Sequence, residues 1–225
     1  LFLDILRLKN KHFNSFQFIL YFLQFWVYVL LHIITKSKFA LVYKYINSTI
    51  VSMKIKSFRQ TTWDSCLAVC LLLLARQKVT RQKEISLLID SLKGPRDSFA
   101  LSLLEAFVKK YKRDVEVYAD NKAFCSFLKS RTRSSKIHLK HKFIDKNFIE
   151  EHVKPFILYV DGHFLKTPTH YPHFVIIEGE TSKKYLVIDP WIGNRRKVPK
   201  SVIYDAVGSL KDYLKFCPLM IVEGG

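Results

Sequence analysis

An uninterrupted apolar run from Cys66 to Ala75 is the feature that most constrains how this chain can fold. A helix formed by this run has no polar face, so other elements of structure must enclose it. The chain has 225 residues, of which 49% are hydrophobic, and this is enough for one domain with a sizeable core and an appendage. The sequence therefore predicts a folded domain built around a central helix.

The pattern of apolar residues predicts an order of helices first and strands later. The predicted helices are Cys66–Ala75, Thr80–Leu92, Ser98–Tyr111, Asn121–Leu128 and Asp145–His152. The predicted strands are Val115–Tyr118, Pro155–Val160, His173–Glu178, Lys184–Ile188 and Leu219–Val222. We therefore expect an α+β fold in which N-terminal helices pack on one side of a mostly antiparallel sheet.

The segment Phe16–Ile34 contains no charged side chain and lies in a hydrophobic N-terminal extension, residues 1–52. At a rise of ~1.5 Å per residue, it is about long enough to cross the ~30 Å hydrocarbon core of a bilayer. One interpretation is a membrane anchor, with the domain of residues 53–225 on the cytoplasmic side. In the other interpretation, the native protein starts at Met53, which is the first methionine. Residues 1–52 would then not belong to the native protein, and the domain would be cytoplasmic.

The formal net charge of +18, from 37 basic and 19 acidic residues, favours anionic partners. The densest basic cluster consists of Lys129, Arg131, Arg133, Lys136, Lys140 and Lys142. No aromatic side chain that could stack on a base lies within it. A solvated basic face is the simpler interpretation, and a nucleic-acid or phosphate patch is the alternative. We do not expect nucleic acid to be the partner.

The four cysteines lie at positions 66, 70, 125 and 217 and do not have the spacing of a disulfide framework. A chain of this length does not need disulfides to fold, so a reducing compartment is expected. Cys66 and Cys70 are the only close pair, and a structural zinc site needs more ligands at short spacing. We expect neither a metal nor a cofactor.

Cys66 is a candidate nucleophile because it stands where the predicted central helix begins. The thiolate form of cysteine is favoured at a helix N-terminus and beside an imidazolium. With Asp64 as the N-cap, Ser65 and Cys66 would occupy the first turn, where backbone N–H groups are unpaired. The alternative is an inert cysteine in the core, since free cysteine is commonly buried.

His173 and Asp189 are the candidate partners of this thiol. His173 begins one predicted strand and Asp189 follows the end of the next. Antiparallel neighbours bring the start of one strand beside the end of the other, where the carboxylate would fix the imidazole tautomer. His163 and His170 are competing candidates for the base, although both lie in less regular segments.

Gln60 lies six positions before Cys66. Its amide and the backbone N–H of Cys66 could point at the same place and form an oxyanion hole for a tetrahedral intermediate. A thiol, an imidazole, a carboxylate and an amide in this order predict a thiol-dependent hydrolase acting on a peptide or amide bond through an acyl-enzyme.

Several short motifs carry a resemblance to a known family. They are Gln60-x5-Cys66-x3-Cys70-Leu71, then His173-Phe174-Val175, then Val187-Ile188-Asp189-Pro190 followed by Gly193. In order and spacing they resemble the bacteriocin-processing peptidases, papain-like cysteine peptidases that remove double-glycine leader peptides. The resemblance spans roughly residues 54–222. It implies a papain-like fold and a peptide substrate, with Cys66 as nucleophile, His173 as general base, Asp189 as its orienting partner and Gln60 as oxyanion donor.

The chain departs from the family at the nucleophile. The family has glycine directly after this cysteine and aspartate directly before it, whereas this chain has Leu67 and Ser65. Leu67 could crowd the approach of a substrate backbone, which keeps open a peptide-binding module on the same fold without hydrolysis. Acyl transfer to an amine by the same residues is a further alternative. Since the sequence has no Gly-rich phosphate-binding loop of an exporter, double-glycine specificity is not carried over.

Overall fold

The computed structural model describes residues 55–94 and 98–224. The helices in these ranges are α1 (Cys66–Leu74), α2 (Arg81–Ser91), α3 (Phe99–Tyr111), α4 (Lys122–Arg131), α5 (Lys146–Glu151) and α6 (Lys200–Asp212), with a 3-10 helix at Gly162–Leu165. The strands are β1 (Val115–Ala119), β2 (Ile137–His141), β3 (Phe156–Asp161), β4 (Pro172–Glu180), β5 (Lys184–Asp189), β6 (Asn194–Pro199) and β7 (Leu219–Glu223).

Helix α1 is enclosed on all sides, as its sequence requires. Each of its residues from Cys66 to Leu74 is buried. Helices α2 and α3 pack against it, and α1 also lies against strand β4. Because no polar side chain interrupts the run, burial of the whole helix removes apolar surface from water without stranding a polar group. The predicted central helix is confirmed.

Four later helices begin at a capping side chain. In each case an oxygen of the capping residue accepts a hydrogen bond from the backbone N–H three positions later, which satisfies a donor that the helix cannot pair. The capping residues are Thr80, Ser98, Asn121 and Asp145. The predicted starts of α2, α3, α4 and α5 therefore rest on a specific contact.

Within the described ranges, seven strands form one sheet in the order β2-β1-β7-β3-β4-β5-β6. Only β1 and β2 run parallel, and the other neighbouring pairs are antiparallel. The expected fold class is confirmed: N-terminal helices pack on a mostly antiparallel sheet, with Cys66 at the start of a helix.

The expectation that helices cover only one side of the sheet is wrong. One buried cluster joins α1 to Ile157, Ile176 and Ile188 of the sheet. A second cluster joins Val175 and its neighbours to α6 on the opposite face. Each sheet face is apolar and must be covered, so a helix on each side is the physical consequence. The sequence analysis missed α6, β2 and β6.

The segment Phe16–Ile34, the extension of residues 1–52 and the candidate start at Met53 lie outside the described residues. The domain boundary and the cellular location therefore stay predictions. Across residues 55–94 and 98–224, no helix combines the length and hydropathy that crossing a bilayer needs.

Part of the basic cluster at residues 129–142 is paired with acids on neighbouring elements. The Lys136 ammonium lies 3.1 Å from the Asp114 carboxylate, and Lys140 forms an ion pair with Glu116. The backbone N–H of Arg133 donates to Glu105 at 2.7 Å. These contacts fit a solvated face, while the absence of a nucleic-acid partner stays a prediction.

Candidate active site

Cys66 is the first residue of helix α1. Ser65 occupies the N-cap position, but its side chain makes no capping hydrogen bond. The expectation that Asp64 is the N-cap is therefore wrong. The first hydrogen bond inside the helix runs from Val69 N–H to Ser65 C=O at 2.9 Å, which leaves the backbone N–H of Cys66 unpaired within the helix. Cys66, a residue only 6% exposed, thus stands at the positive end of the helix dipole.

His173 and Asp189 form a fully buried pair on adjacent antiparallel strands. The Nε2 atom of His173 lies 2.9 Å from Oδ1 of Asp189, and neither side chain is accessible to solvent. Since a carboxylate only accepts hydrogen bonds, Nε2 carries the proton of this contact. The other ring nitrogen, Nδ1, is buried and has no partner at hydrogen-bond geometry among the described residues.

The electrostatics of His173 tie it to Cys66 as well as to Asp189. Burial disfavours the imidazolium, but the hydrogen bond to Asp189 and the interaction with the nearby Cys66 sulfur outweigh it and raise the pKa of His173 to about 9. The Cys66 side chain therefore lies next to the imidazole. The structure brings together the three residues that the sequence analysis singled out.

Several hydrogen bonds and nearby positive charges favour the ionised form of Asp189. Burial favours its neutral form, but the bond with His173 and the positive charges of His173 and Arg196 lower the pKa of Asp189. A guanidinium nitrogen of Arg196 donates to Oδ2 at 2.8 Å, and the Trp191 backbone N–H donates to Oδ1 at 2.9 Å. Arg196 also donates to the Leu165 carbonyl. The carboxylate is thus shared between His173 and Arg196.

Gln60 lies in the loop that leads to Cys66, and its amide already has partners. The amide nitrogen donates to the carbonyls of Thr62 at 2.8 Å and Trp63 at 3.0 Å. The Gln60 backbone N–H donates to the Pro190 carbonyl at 2.8 Å. Both amide protons hold the loop, so one would have to turn before it could reach a substrate oxygen. Its oxyanion role stays a prediction.

Aromatic side chains flank the entrance to α1. Trp63 is 66% exposed, and its ring centroid lies 4.6 Å from that of Trp191 and 6.3 Å from that of Tyr171. The Tyr171 hydroxyl donates to the Asp64 carboxylate at 3.1 Å. The residues before the thiol therefore touch both the segment that enters β4 and the one that leaves β5.

Two neighbours of Cys66 face the interior. Leu67 has no exposed surface, so its side chain packs in the core and does not project toward solvent. Burial, followed by the nearby Cys66 and Asp189, raises the pKa of the Cys70 thiol, and its sulfur donates to the Phe174 carbonyl at 3.4 Å. Cys70 is therefore held as a neutral thiol.

The competing histidines belong to a different cluster. Nδ1 of His170 lies 2.6 Å from the buried Asp161 carboxylate, and the His163 ring stacks on His170 at 4.2 Å between centroids. The Ser209 hydroxyl also donates to Asp161 at 2.7 Å. This cluster holds the loop between β3 and β4.

The sequence analysis missed Arg196, Trp191 and Tyr171. The two aromatic residues lie within two positions of Asp189 and His173, so proximity in sequence could have marked them. Nothing in the sequence marks Arg196, which reaches Asp189 only because β6 pairs with β5. Within the part of the chain that the structure describes, no group of three or more His, Cys, Asp or Glu side chains could hold a metal ion.

Gly193 lets the turn after β5 pack against the loop before α1. Its φ is +68°, and a Cβ atom there would lie 2.5 Å from Cβ and 2.8 Å from Cα of Arg59. A non-glycine residue is strained at this φ, and the backbone of Arg59 cannot rotate aside. Gly193 therefore sets the distance between the Asp189 turn and the segment that carries Gln60.

Replacing Gly193 by alanine is expected to lower the free energy of unfolding by about 1–2 kcal/mol from backbone strain alone, with more from the contact with Arg59. Urea denaturation followed by circular dichroism measures this. Gly208→Ala is the matched control, because a Cβ there meets nothing within 4 Å and the residue lies in α6. Equal stability of the two variants would contradict the packing described.

No protein-family model and no curated protein matches the sequence. Among solved structures, the chain is similar to the peptidase domain of Streptococcus ComA, described as a bi-functional ABC transporter involved in a quorum-sensing pathway. The TM-score is 0.46 at 14% sequence identity, over 76% of this chain and 98% of that chain.

Proposed function

We propose that the protein is a papain-like cysteine peptidase or amidase that works through an acyl-enzyme on Cys66. The observation that supports this most strongly is the buried pair of His173 and Asp189, with the free ring nitrogen and the raised pKa of the imidazole beside the thiol. A buried imidazole between a carboxylate and a sulfur is the arrangement that thiol hydrolysis needs.

The reaction follows from the protonation states. Below about pH 9 the proton shared by Cys66 and His173 rests on Nδ1 of His173, and the thiolate of Cys66 attacks the substrate carbonyl carbon. The oxyanion that forms lies near the unpaired N–H groups at the start of α1. His173 then protonates the leaving amine, the C–N bond breaks and a thioester remains. Water, deprotonated by His173, attacks the thioester, releases the acid and restores the Cys66 thiolate beside the protonated imidazole.

A peptide is the substrate class that we propose. The rim of aromatic side chains at the entrance to α1 offers flat apolar surface to an extended chain. A cavity of about 660 Å³, lined in part by Phe99, Phe124, Tyr159 and Phe174, lies beside the strand that carries His173. The motif resemblance supports leader-peptide processing within this class, as the finer proposal.

The burial of Leu67 bears on the competing function. A binding module without hydrolysis was suggested by a bulky residue after the thiol. Since the Leu67 side chain has no exposed surface, it does not stand in the path of a substrate. The hydrolase is therefore the better supported of the two functions.

Incubation of the full 225-residue chain with a mass-coded peptide library tests the proposal. We expect defined products by mass spectrometry, and we expect an epoxysuccinyl thiol inhibitor to prevent their formation. Cleavage that continues at full rate after stoichiometric inhibitor modification of Cys66 would refute the mechanism. Binding of library peptides without any product would favour the binding module.

The pH dependence follows from His173. Its pKa, raised to about 9, means that the imidazolium that protonates the leaving amine is present below this pH and is lost above it. We therefore expect kcat/KM for a cleaved peptide to fall as the pH rises through about 9. A profile that falls instead near pH 6.5, the ordinary value for histidine, would contradict this environment for His173.

Arg196→Met is expected to shift the alkaline fall in kcat/KM to higher pH. The guanidinium opposes the nearby imidazolium and competes for the Asp189 carboxylate, so its removal favours protonated His173. Lys197→Met on the same strand removes the same charge from an exposed side chain and serves as the control. We measure kcat/KM against pH for both variants. If kcat/KM of Arg196→Met fell at the same pH as in the wild type, Arg196 would not influence the pKa of His173.

A further inference from the structure

Glu84 is a fully buried carboxylate on helix α2. No lysine or arginine among the described residues forms an ion pair with it, in contrast to Asp90 on the same helix, which lies 2.7 Å from the ammonium of Lys110. A carboxylate without a cation is costly to bury unless several hydrogen bonds compensate it. Its partners therefore show what it holds.

Among the described residues, every hydrogen bond to the side chain of Glu84 comes from the loop that precedes the thiol. The Thr61 backbone N–H donates to Oε1 at 2.7 Å, and the Thr61 hydroxyl donates to Oε2 at 2.9 Å. The Ser65 hydroxyl also contacts Oε1 and lies 2.8 Å from the Thr62 carbonyl. The two ends of the segment 61–65 thus meet on one carboxylate, and Cys66 is the next residue.

The same segment is held from its other side by Gln60, whose amide donates to the carbonyls of Thr62 and Trp63. The loop is therefore curled between two polar side chains, one buried and one partly exposed. Its last peptide unit supplies the backbone N–H of Cys66. The direction of that N–H, and the position of the sulfur, depend on how the loop is curled.

We propose that Glu84 is a positioning residue of the active site, which fixes the loop 61–65 so that the Cys66 backbone N–H faces the developing oxyanion. The proposal rests on the proposed hydrolase function. Glu84 does not touch the substrate and acts through Thr61 and Ser65. A misplacement of about 1 Å in such a donor can cost about 100-fold in rate.

The test compares Glu84→Leu with Glu84→Gln. Leucine fills a similar volume but accepts no hydrogen bond. Glutamine keeps one oxygen for the Thr61 N–H and the Ser65 hydroxyl, and its amide can donate to the Thr61 hydroxyl oxygen. In Glu84→Leu we expect kcat, per active site titrated with the epoxysuccinyl inhibitor, to fall about 100-fold. In Glu84→Gln most of that loss should be recovered.

KM separates positioning from general damage. An N–H that binds only the developing oxyanion lowers kcat without changing KM when it is misplaced. We therefore expect KM of Glu84→Leu to stay within about threefold of the wild-type value. Asp90→Leu on the same helix removes a surface acid and should leave both constants unchanged. A normal kcat per titrated site in Glu84→Leu, or a change confined to KM, would overturn the proposal.

Two further variants decide the matter if Glu84→Leu does not fold. Thr61→Val and Ser65→Ala each remove one hydroxyl donor from the carboxylate, and the combined variant should lose kcat at unchanged KM. Normal kcat in the combined variant would overturn the proposal. Failure of the hydrolase function itself is distinguishable, because Cys66→Ala would then be as active as the wild type, whatever the Glu84 variants do.

Discussion

Cys66→Ala is expected to abolish cleavage of every library peptide that the wild-type chain cleaves. The covalent path needs the sulfur, and the imidazole and the N–H groups of α1 alone give no acyl-enzyme. We expect a loss of at least about 1,000-fold in kcat, which is the scale of removing a nucleophile. Product formation measured by mass spectrometry under single-turnover conditions gives this ratio.

Cys217→Ser is the matched control for this loss. Cys217 is a free, half-buried cysteine, and its sulfur accepts a hydrogen bond from the Asn121 backbone N–H at 3.3 Å. Serine can make the same contact, so activity should stay at the wild-type level. Undiminished turnover in Cys66→Ala, or an equal loss in both variants, would refute the role of Cys66.

His173→Gln is expected to reduce kcat by about 1,000-fold, because a glutamine amide can neither take the proton of Cys66 nor protonate the leaving amine. Glutamine is uncharged and can still donate to the Asp189 carboxylate, so the buried acid keeps a partner. The loss should therefore appear in kcat while the midpoint of thermal unfolding changes little. Steady-state kinetics with circular dichroism melting measures both.

His170→Gln provides the comparison for this variant. His170 is also bonded to a buried carboxylate, Asp161, but it belongs to the cluster that holds the loop between β3 and β4. Its substitution should leave kcat within about threefold of the wild type, because it transfers no proton in the reaction. If His170→Gln were the more severe variant, the assignment of His173 as base would be wrong.

Local sequence features predict most elements of the described fold. The capping side chains that define the starts of four helices act within three residues, so the sequence contains the whole interaction. The enclosed helix α1 is equally local, because ten apolar residues in succession permit no exposed face. These are the features in which sequence and structure agree most closely.

The elements that the sequence analysis missed depend on the elements that pair with them or that they cover. Strand β6, Asn194–Pro199, is mostly polar and is a strand because β5 pairs with it. Helix α6 has no side-chain cap at its start and contains Gly208, so local signals for a helix are weak. Its apolar stripe, which includes Ile203 and Val207, is buried because it packs against one face of the sheet.

The active site likewise contains some residues that the sequence predicts and others that it does not. Its three central residues stand at element ends, at the start of a helix or the ends of strands, where a chemical role could be predicted. Arg196 and Glu84 could not be found, since Arg196 reaches Asp189 through the pairing of β6 with β5, and Glu84 reaches the loop before Cys66 through the packing of α2. Gln60 lies in the loop before Cys66, its amide is occupied by that loop, and its role in an oxyanion hole stays a prediction.

The site of first alkylation by the epoxysuccinyl inhibitor is the most direct test of the central claim, that His173 and the start of α1 make Cys66 reactive. If exposure alone decided which cysteine is alkylated first, Cys217 would react first, because Cys66 is only 6% exposed whereas Cys217 is half-buried. Burial raises the pKa of Cys217, so its thiolate is scarce. Limited labelling at pH 7, followed by peptide mapping, should place the first adduct on Cys66 in the wild type and remove it in His173→Gln. A first adduct on Cys217, or no adduct on Cys66, would contradict the account.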